Sequence, residues 1–389
     1  MITIACIQYP KINGVNYFRC KQPLMFLQKM FPDKIRIVSG NDKSIMDAVA
    51  EADIYFHESP GGALSNIIPD FIKKHFPRVK IVFDYDDAPW TLIPPYHPAY
   101  IDYGTKETEV NYGSLMGHKG KIKFNRKWKR GEVVEGHTFN PDINVKHIMD
   151  ANLLREKADY ITTTTPYLAE MIKKQVDKPV TVLPNFIEPS LYGQIKDPNK
   201  KPGEVRIGWV AGHSHLGDII DLLPAIIDLL NERKNVKFYL ISQYNDMFVN
   251  IVKQCNIPAD RFIVFPAVGV MDGYFNVLSN LDLDIGLMHL KENDVYNKCK
   301  SPLKFLEMTA IGAACLAPDI LYCDYVQNET TGLIYANRAE WNTLVRRLID
   351  NAQLRHDLNA VAKCAIGRFC ASDVVPEYLK FFENIMVTK

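Results

Sequence analysis

The feature that most constrains the fold is an alternation of short apolar runs with amphipathic stretches, which passes through the chain twice. In the first half the apolar runs are 2–8, 35–38, 54–58, 80–86, 160–165 and 180–184. In the second half they are 205–212, 236–242, 262–266, 283–290, 314–318 and 332–336. Continuous apolar runs separated by helical patterns are typical of parallel strands joined by crossover helices. The alternation therefore predicts an α/β protein with two doubly wound domains, in which ligands bind beyond the carboxyl ends of the strands.

Composition indicates where the two halves meet. The run 189–204 is rich in Pro, Gly and Lys, which is typical of a linker. It separates a predicted N-terminal domain (1–188) from a C-terminal domain (205–368), and a last helical stretch (369–389) follows. Segment 91–140 departs from the alternation, and an insertion of that length in a compact domain is usually functional or disordered.

Charge and cysteine content exclude several classes of protein. The net charge is only +1, so no overall field draws the chain to nucleic acid or to a membrane. No apolar run approaches the roughly 20 residues that a membrane span needs, and the N-terminal run lacks the basic region of a signal peptide. None of the eight cysteines forms a CxxC pair, which argues against a zinc site or a disulfide framework. These features predict a cytoplasmic protein with no membrane span.

The second half contains a helix, predicted over 301–312, whose start has the chemistry of an anion site. Ser301 is a good N-cap and Pro302 a good first helical residue. The free N–H groups and partial positive charge of a helix N-terminus favour phosphate, and Lys300 and Lys304 add charge there. The alternative is an ordinary capped helix.

One acid, Glu307, lies on the apolar stripe of this helix. It is one turn from both Leu303 and Ile311. If the helix has only a structural role, Glu307 is expected to pair with Lys304. If the helix binds a ligand, Glu307 is expected to face that ligand. Gly312 predicts the end of the helix before a short buried strand.

The strand-to-helix loop 207–218 carries Gly212, His213, Ser214 and His215. The glycine lets the backbone approach a ligand closely, and a histidine there could donate a hydrogen bond to a phosphate or sugar oxygen. The sequence shows no further metal ligand beside the two histidines. The alternative is a glycine-rich turn without a ligand.

Two segments of the first half follow strands and therefore face the expected crevice. Asp84, Asp86 and Asp87 come at the end of an apolar strand. They could bind sugar hydroxyls, act as a base or hold Mg²⁺ or Mn²⁺, or form an acidic turn in solvent. Gly14 follows the first strand and permits a similarly close approach.

A basic segment, 118–130, combines seven lysines and arginines with two aromatic residues and no acid. Basic residues interleaved with aromatics suit a phosphate backbone with stacked bases; the alternative is a solvated hairpin. The predicted acceptor contacts are Lys119, Lys121, Lys123, Arg126, Lys127, Trp128, Lys129 and Arg130.

The chain resembles the GT-B fold glycosyltransferases, in particular the retaining glycosyltransferase family 4 group. Segment 180–192 is similar to that family's interdomain segment, 262–290 to its base-binding loop with the following helix and strand, and 300–317 to its donor-binding helix. The resemblance extends over nearly the whole chain. It implies two Rossmann-like domains facing across a cleft, a nucleotide-diphosphate sugar as co-substrate, no tightly bound cofactor, and no required divalent metal.

The resemblance also implies roles for single residues. Glu307 matches the second of two family glutamates and is expected to bind the ribose, whereas the first position falls on Cys299. Asn297 or Lys300 is then expected to contact the sugar or the diphosphate. The expected donor contacts are Gly14, Gly212, Ser214, Val268, Tyr274, Asn297, Lys300, Ser301, Lys304 and Glu307. The candidate catalytic residues are Asp84, Asp86, Asp87 and His213.

Together these features predict a hexosyl- or pentosyltransferase, and the resemblance implies that it acts with retention of configuration. The basic segment favours a hydroxylated base in DNA as the acceptor, as in DNA modification by bacteriophages, which would place the enzyme in a host cytoplasm. A protein, lipid-linked or polysaccharide hydroxyl is the alternative acceptor. A nucleotide-sugar epimerase and a non-catalytic carbohydrate- or nucleic-acid-binding protein are alternative functions.

Overall fold

The computed structural model describes most of the chain. The described residues are 1–7, 14–40, 44–58, 62–88, 90–91, 93, 100–105, 133–134, 137–138, 140–193, 195–210, 212, 215–242, 245–266, 271–291 and 295–387.

The first half of the chain forms one parallel sheet of six strands. Its strands, with a two-stranded antiparallel hairpin (β5 and β6) between the fourth and fifth, are β1 (Ile2–Cys6), β2 (Ile35–Ser39), β3 (Ile54–Glu58), β4 (Lys80–Tyr85), β5 (Val133–Val134), β6 (His137–Thr138), β7 (Tyr160–Thr163) and β8 (Val180–Val182). The strand order in the sheet is β2-β1-β3-β4-β7-β8. All six predicted strands of this half are present.

The second half forms another parallel sheet of six strands, as predicted. They are β9 (Val205–Val210), β10 (Val236–Ser242), β11 (Phe262–Pro266), β12 (Ile285–Leu287), β13 (Ala314–Pro318) and β14 (Leu333–Tyr335). Their order is β11-β10-β9-β12-β13-β14, the order of a dinucleotide-binding Rossmann sheet.

Helices connect the strands. They are α1 (Gln22–Met30), α2 (Ile45–Ala50), α3 (Gly62–His75), α4 (Tyr100–Tyr103), α5 (Pro141–Glu156), α6 (Pro166–Lys173), α7 (Leu216–Glu232), α8 (Asn245–Gln254), α9 (Met271–Asn280), α10 (Val295–Lys298), α11 (Leu303–Ala310), α12 (Arg338–Asp350), α13 (Ala352–Ala365) and α14 (Ala371–Val387). A helical turn (Gly14–Asn16) and a π-helical turn (Tyr17–Lys21) lead into α1. Caps set several starts; the Thr165 hydroxyl, for example, accepts from the amide of Leu168 at the start of α6.

Two apolar clusters lie against each sheet, because helices cover both faces. The strand order reverses between β1 and β3 in the first sheet and between β9 and β12 in the second. A crevice opens beyond the carboxyl ends of the strands at such a reversal, and this is where doubly wound sheets bind ligands. The fold therefore directs attention to the loops after β1, β4, β9 and β12.

The last helix, α14, returns to the first sheet although it follows the second. The ring centroids of Phe382 and Phe56 are 6.1 Å apart, and Tyr378 joins the same cluster as Ile4 and Val82. The predicted domain boundaries stay predictions. Within the described residues no helix has both the length and the apolar content that a bilayer crossing requires.

Candidate active site

The helix that carries the predicted anion site begins later than expected. Pro302, with φ −79° and ψ 21°, occupies the cap position, and α11 starts at Leu303 without a side-chain cap. The prediction that Ser301 is the N-cap is therefore wrong: the Ser301 hydroxyl instead accepts from Asn185 Nδ2 at 2.9 Å, across the gap between the two halves. The predicted end is confirmed, because Gly312 follows the helix with φ +93°.

Two lysines lie together at this helix start. Lys300 is almost fully buried, and its ammonium stands 4.6 Å from the ring centroid of Tyr296. Lys304 is partly buried; burial and then the charge of Lys300 lower the pKa of Lys304 to about 7. The two ammonium groups repel each other beside the positive end of α11. A bound anion would offset this repulsion.

An aspartate and a histidine hold Lys304 in place. Asp218 Oδ2 and His215 Nδ1 are 2.7 Å apart, and His215 Nε2 lies 2.9 Å from Lys304 Nζ. Burial and the two lysine charges lower the pKa of His215 well below its usual value. Burial alone would raise the pKa of Asp218. The hydrogen bond and the charge interaction with His215 outweigh burial and lower the pKa of Asp218 to about 2. A neutral His215 then donates from Nδ1 to Asp218 and accepts at Nε2 from the Lys304 ammonium.

The same aspartate ties the loop after β9 to the segment before α11. Its Oδ1 accepts from the Lys291 amide at 2.9 Å and from Asn297 Nδ2 at 3.2 Å. Asn297, expected at the donor, is thus brought beside Lys300 and Lys304. Asp218 and His215 are the residues whose role sequence reasoning missed; the His-x-x-Asp spacing at the start of α7 was the available signal.

Glu307 is buried and bonded to two tyrosines. Its Oε1 accepts from the Tyr192 hydroxyl at 3.2 Å and its Oε2 from the Tyr274 hydroxyl at 3.1 Å. Burial raises the pKa of Glu307 to about 7, although both bonds oppose that shift. Glu307 therefore forms no ion pair with Lys304, contrary to the alternative interpretation of the sequence. Two of the expected donor contacts, Glu307 and Tyr274, are hydrogen-bonded to each other.

The three aspartates after β4 have different environments. Asp84 is fully buried, and Arg19 binds both of its oxygens at 2.9 and 2.6 Å while the Thr162 hydroxyl donates at 2.6 Å. A catalytic role does not fit Asp84, because its charge is neutralised inside the first half of the chain. The structure makes it one side of a buried ion pair.

Asp86 and Asp87 are instead connected to the second half, Asp87 directly and Asp86 through Asn185, which also donates to Ser301. Asp86 Oδ1 accepts from Asn185 Nδ2 at 3.2 Å, and Asp87 Oδ2 accepts from the Tyr296 hydroxyl at 2.6 Å. Burial, opposed by Arg19, raises the pKa of Asp86 to about 6. Two carboxylates of the first half therefore lie beside the segment that carries the lysines. This connection between carboxylates of the first half and the lysine-bearing segment of the second half is the main feature of the site.

The fold has been seen before, although no protein-family model and no curated protein sequence matches the chain. Sucrose-phosphate synthase from Thermosynechococcus elongatus aligns over all of both chains, with a TM-score of 0.66 and 10% identity. HepE from Anabaena, solved with UDP and glucose, aligns over 99% of this chain and all of its own, with a TM-score of 0.61 and 10% identity. The chain has the GT-B fold.

Other GT-B structures are larger or more distant. The chain spans 55% of S. aureus TarM, solved with UDP and other ligands, at a TM-score of 0.53 and 13% identity. The lipopolysaccharide outer core galactosyltransferase WaaB aligns over 98% of this chain and all of its own, at a TM-score of 0.55 and 12% identity. These identities establish the GT-B architecture.

The described residues at the GT-B cleft include Asp86 and Asp87 in the first half, and Gly212, His215 and the start of α11 in the second half. An added Cβ at Gly14 or Gly212 would meet no described atom within 4 Å, so the space beside each of these two glycines is open. Cys299, where the resemblance places a glutamate, is fully buried in an apolar cluster of the first half. Cys299 is thus a packing residue.

Some predicted residues lie outside the described part of the chain. They are His213, Ser214, Val268, Lys119, Lys121, Lys123, Arg126, Lys127, Trp128, Lys129 and Arg130. Their roles stay predictions. Among the residues that the structure does describe, no group of three His, Cys, Asp or Glu side chains is arranged to hold a metal ion.

Proposed function

We propose that the chain is a glycosyltransferase that moves a sugar from a nucleoside-diphosphate sugar to an acceptor hydroxyl with retention of configuration. The observation that carries the proposal is the position of Lys300, Lys304 and the uncapped start of α11 opposite Asp87, which binds Tyr296, and opposite Asp86, which is linked to Ser301 through Asn185. Cations at a helix start suit a diphosphate, and carboxylates opposite suit the hydroxyls of a sugar or an acceptor. Fold alone does not determine function, so the proposal rests on this chemistry.

The donor would occupy the second half of the chain. Its diphosphate would lie against Lys300, Lys304 and the first amides of α11, and its ribose would replace one tyrosine hydroxyl at Glu307. The base would lie near Tyr274. That HepE and TarM were solved with UDP is consistent with this placement.

A front-face displacement fits these residues. The bond between the sugar's anomeric carbon and the diphosphate oxygen breaks, and its electron pair stays on the diphosphate. The acceptor oxygen forms the new bond on the same face, while its proton passes to a phosphate oxygen. Lys300, Lys304 and the helix amides stabilise the charge that grows on the leaving group. Asp86 and Asp87 would orient the acceptor.

The proposal is tested by thermal unfolding with a panel of UDP-, GDP-, ADP- and dTDP-hexoses. One nucleotide sugar should stabilise the protein, because a ligand at 100 times its Kd adds about 2.7 kcal/mol, and it should also be hydrolysed or transferred with release of the nucleoside diphosphate. An epimerase would isomerise the donor alone, and a non-catalytic binding protein would bind without turnover. Stabilisation by none of the panel would refute the donor site.

A second prediction concerns the pH dependence of nucleoside-diphosphate binding, which should follow the titration of Lys304. Its ammonium loses its proton near pH 7 in the free protein, and a bound diphosphate favours the charged form, so nucleoside-diphosphate affinity should fall as pH rises from 7 to 9. The affinity should fall by at most about tenfold per pH unit, because one proton is involved. Lys304→Arg should keep the affinity and flatten the slope, since arginine stays charged. Glu307 titrates in the same range in both proteins, so the difference between their slopes, measured by titration calorimetry, isolates Lys304. Equal slopes would contradict the assignment.

The acceptor predictions rest on other residues. A hydroxylated base in DNA, suggested by the basic segment 118–130, and a protein, lipid-linked or polysaccharide hydroxyl all remain candidates for the proposed reaction.

A further inference from the structure

The side chain of Asn185 is bonded to both halves of the chain at once. Asn185 follows β8 in the first half and is only 2% exposed. Its Oδ1 accepts from Arg19 Nη1 at 2.9 Å, and its Nδ2 donates to Asp86 Oδ1 at 3.2 Å and to the Ser301 hydroxyl at 2.9 Å. The carboxamide therefore uses its acceptor and both of its N–H donors.

The three partners determine which way this carboxamide points. Arg19 can only donate, so the atom that faces it must be Oδ1. An ionised Asp86 can only accept, so the atom that faces it must be Nδ2. Aspartate at this position would place an oxygen against the Asp86 carboxylate, and leucine would make none of the three bonds. Only asparagine combines one acceptor and two donors at this distance from the backbone, since glutamine is one methylene longer.

The backbone on each side of Asn185 is held by hydrogen bonds. Two residues earlier, the Leu183 amide donates to the Thr163 carbonyl at 2.8 Å. Two residues later, the Ile187 amide donates to the Phe369 carbonyl at 2.9 Å. The carboxamide is therefore presented from a fixed position, and its bonds can set the positions of the groups that it contacts.

The bond to Ser301 fixes one end of the segment that carries Lys300. At the other end of this segment, the Tyr296 hydroxyl donates to Asp87 Oδ2 at 2.6 Å. Lys300 thus lies between two hydrogen bonds that join the halves of the chain, and Asn185 makes one of them.

The bond to Asp86 favours the ionised carboxylate, because a donated hydrogen bond stabilises its negative charge. Burial is the main reason that the pKa of Asp86 is raised to about 6, and Arg19 and the hydrogen bond from Asn185 oppose it. Among the described residues, the other charged or titratable groups that face Asp86 are Asp84, Asp87 and Tyr378. Loss of the Asn185 bond should therefore leave more of Asp86 protonated at pH 7.

We propose that Asn185 is a positioning residue, which aligns the Asp86 carboxylate of the first half with the start of α11 in the second. It acts through Asp86 and Ser301, so that the group that orients the acceptor and the lysines that hold the diphosphate are kept in one arrangement. The assignment deepens the proposed function and rests on it for the reaction. The hydrogen bonds themselves can be tested without a substrate.

The first arm of the test uses the protein alone. Asn185→Leu keeps the approximate shape of the side chain and removes its three hydrogen bonds, and Asn250→Leu, on the exposed side of α8, is the matched control. In an NMR titration of ¹³C-carboxyl-labelled aspartates, with Asp86 assigned from Asp86→Asn, the pKa of Asp86 should rise by about one unit in Asn185→Leu. Hydrogen exchange over 296–301 should become faster in the same variant. The control should match wild type in both measurements.

The second arm measures turnover of the nucleotide sugar that the panel identifies. Misplacement by about 1 Å can cost about 100-fold, so the kcat of Asn185→Leu should fall by up to about 100-fold. The KM for the nucleotide sugar should change less, because its proposed site lies in the second half. The acidic limb of the kcat/KM profile should move to higher pH, following Asp86. Ser301→Ala should also lower kcat but leave that limb in place, because it keeps the bond between Asn185 and Asp86.

The outcomes separate this proposal from the proposed function. A raised pKa of Asp86 and faster exchange over 296–301, without turnover of any nucleotide sugar, would confirm the link between the halves and refute the glycosyltransferase. A lower kcat of Asn185→Leu with the acidic limb and the pKa of Asp86 unmoved would show a structural role alone and overturn the assignment. Wild-type kcat in Ser301→Ala would overturn it as well, whether or not Asn185→Leu folds.

Discussion

We expect Lys300→Met to lower kcat about 100- to 1,000-fold, the usual effect of removing one donor that stabilises charge in a transition state. Methionine keeps much of the aliphatic stem against Tyr296 and removes only the charge. Because the leaving diphosphate gains charge as the sugar bond breaks, the loss should appear in kcat more than in the KM for the acceptor. Initial-rate measurements of nucleoside-diphosphate release, with both substrates varied, provide the check.

Two comparisons make that result specific. Lys253→Met, at the exposed end of α8, removes an equal charge far from the cleft and should leave kcat unchanged. Equal melting temperatures of the Lys300→Met variant and wild type would exclude unfolding as the cause. If kcat is retained while only the KM for the nucleotide sugar rises, Lys300 binds the donor equally in the ground and transition states, and the proposed catalytic contribution is wrong.

The two sheets were predictable because parallel strands are buried on both faces and therefore appear as continuous apolar runs. Their ends were less predictable. The predicted strand 160–165 ends at Thr163 because Thr165 caps the next helix. The predicted strand 283–290 is reduced to Ile285–Leu287, although the apolar run continues to Leu290. Apolar runs thus reveal a strand, whereas caps and turns set its length.

The cap of α11 shows a different limit. Ser301 before Pro302 satisfies the local rule for a helix start, yet the hydroxyl of Ser301 is bound by Asn185, which is 116 positions away in the chain. A tertiary hydrogen bond between the two halves replaces the local one. No window of sequence around Ser301 contains that information.

Separation along the chain also explains which site residues could be predicted from the sequence. The two lysines and Glu307 lie within eight residues of each other, so their proximity could be read from the helix. Tyr192, by contrast, reaches Glu307 from 115 positions away, and Arg19 reaches Asp84 from 65. Asp84 could be recognised as an acid at a strand end, but not as one whose charge is already balanced.

That buried ion pair leads to the largest expected effect on stability. Arg19 and Asp84 are both 0% exposed, and Arg19 also donates to the Leu183 carbonyl and to Asn185 Oδ1. Removal of one partner leaves the other charge buried and uncompensated, which typically costs 3–5 kcal/mol. We therefore expect Arg19→Met to lower the free energy of unfolding by about 3–5 kcal/mol, measured by urea denaturation.

The pair Arg36–Glu51 supplies the matched comparison, because its side chains are 45% and 44% exposed at a similar N–O distance of 3.0 Å. Arg36→Met should cost less than about 1 kcal/mol, since solvent screens an exposed pair. The double variant Arg19→Met with Asp84→Leu should recover much of the loss, because it leaves no unpaired carboxylate. If Arg19→Met alone costs no more than Arg36→Met, the buried pair does not stabilise the folded protein, and Asp84 would again be a candidate for the chemistry. The size of that one difference thus decides whether the first aspartate after β4 holds the fold together or belongs to the chemistry.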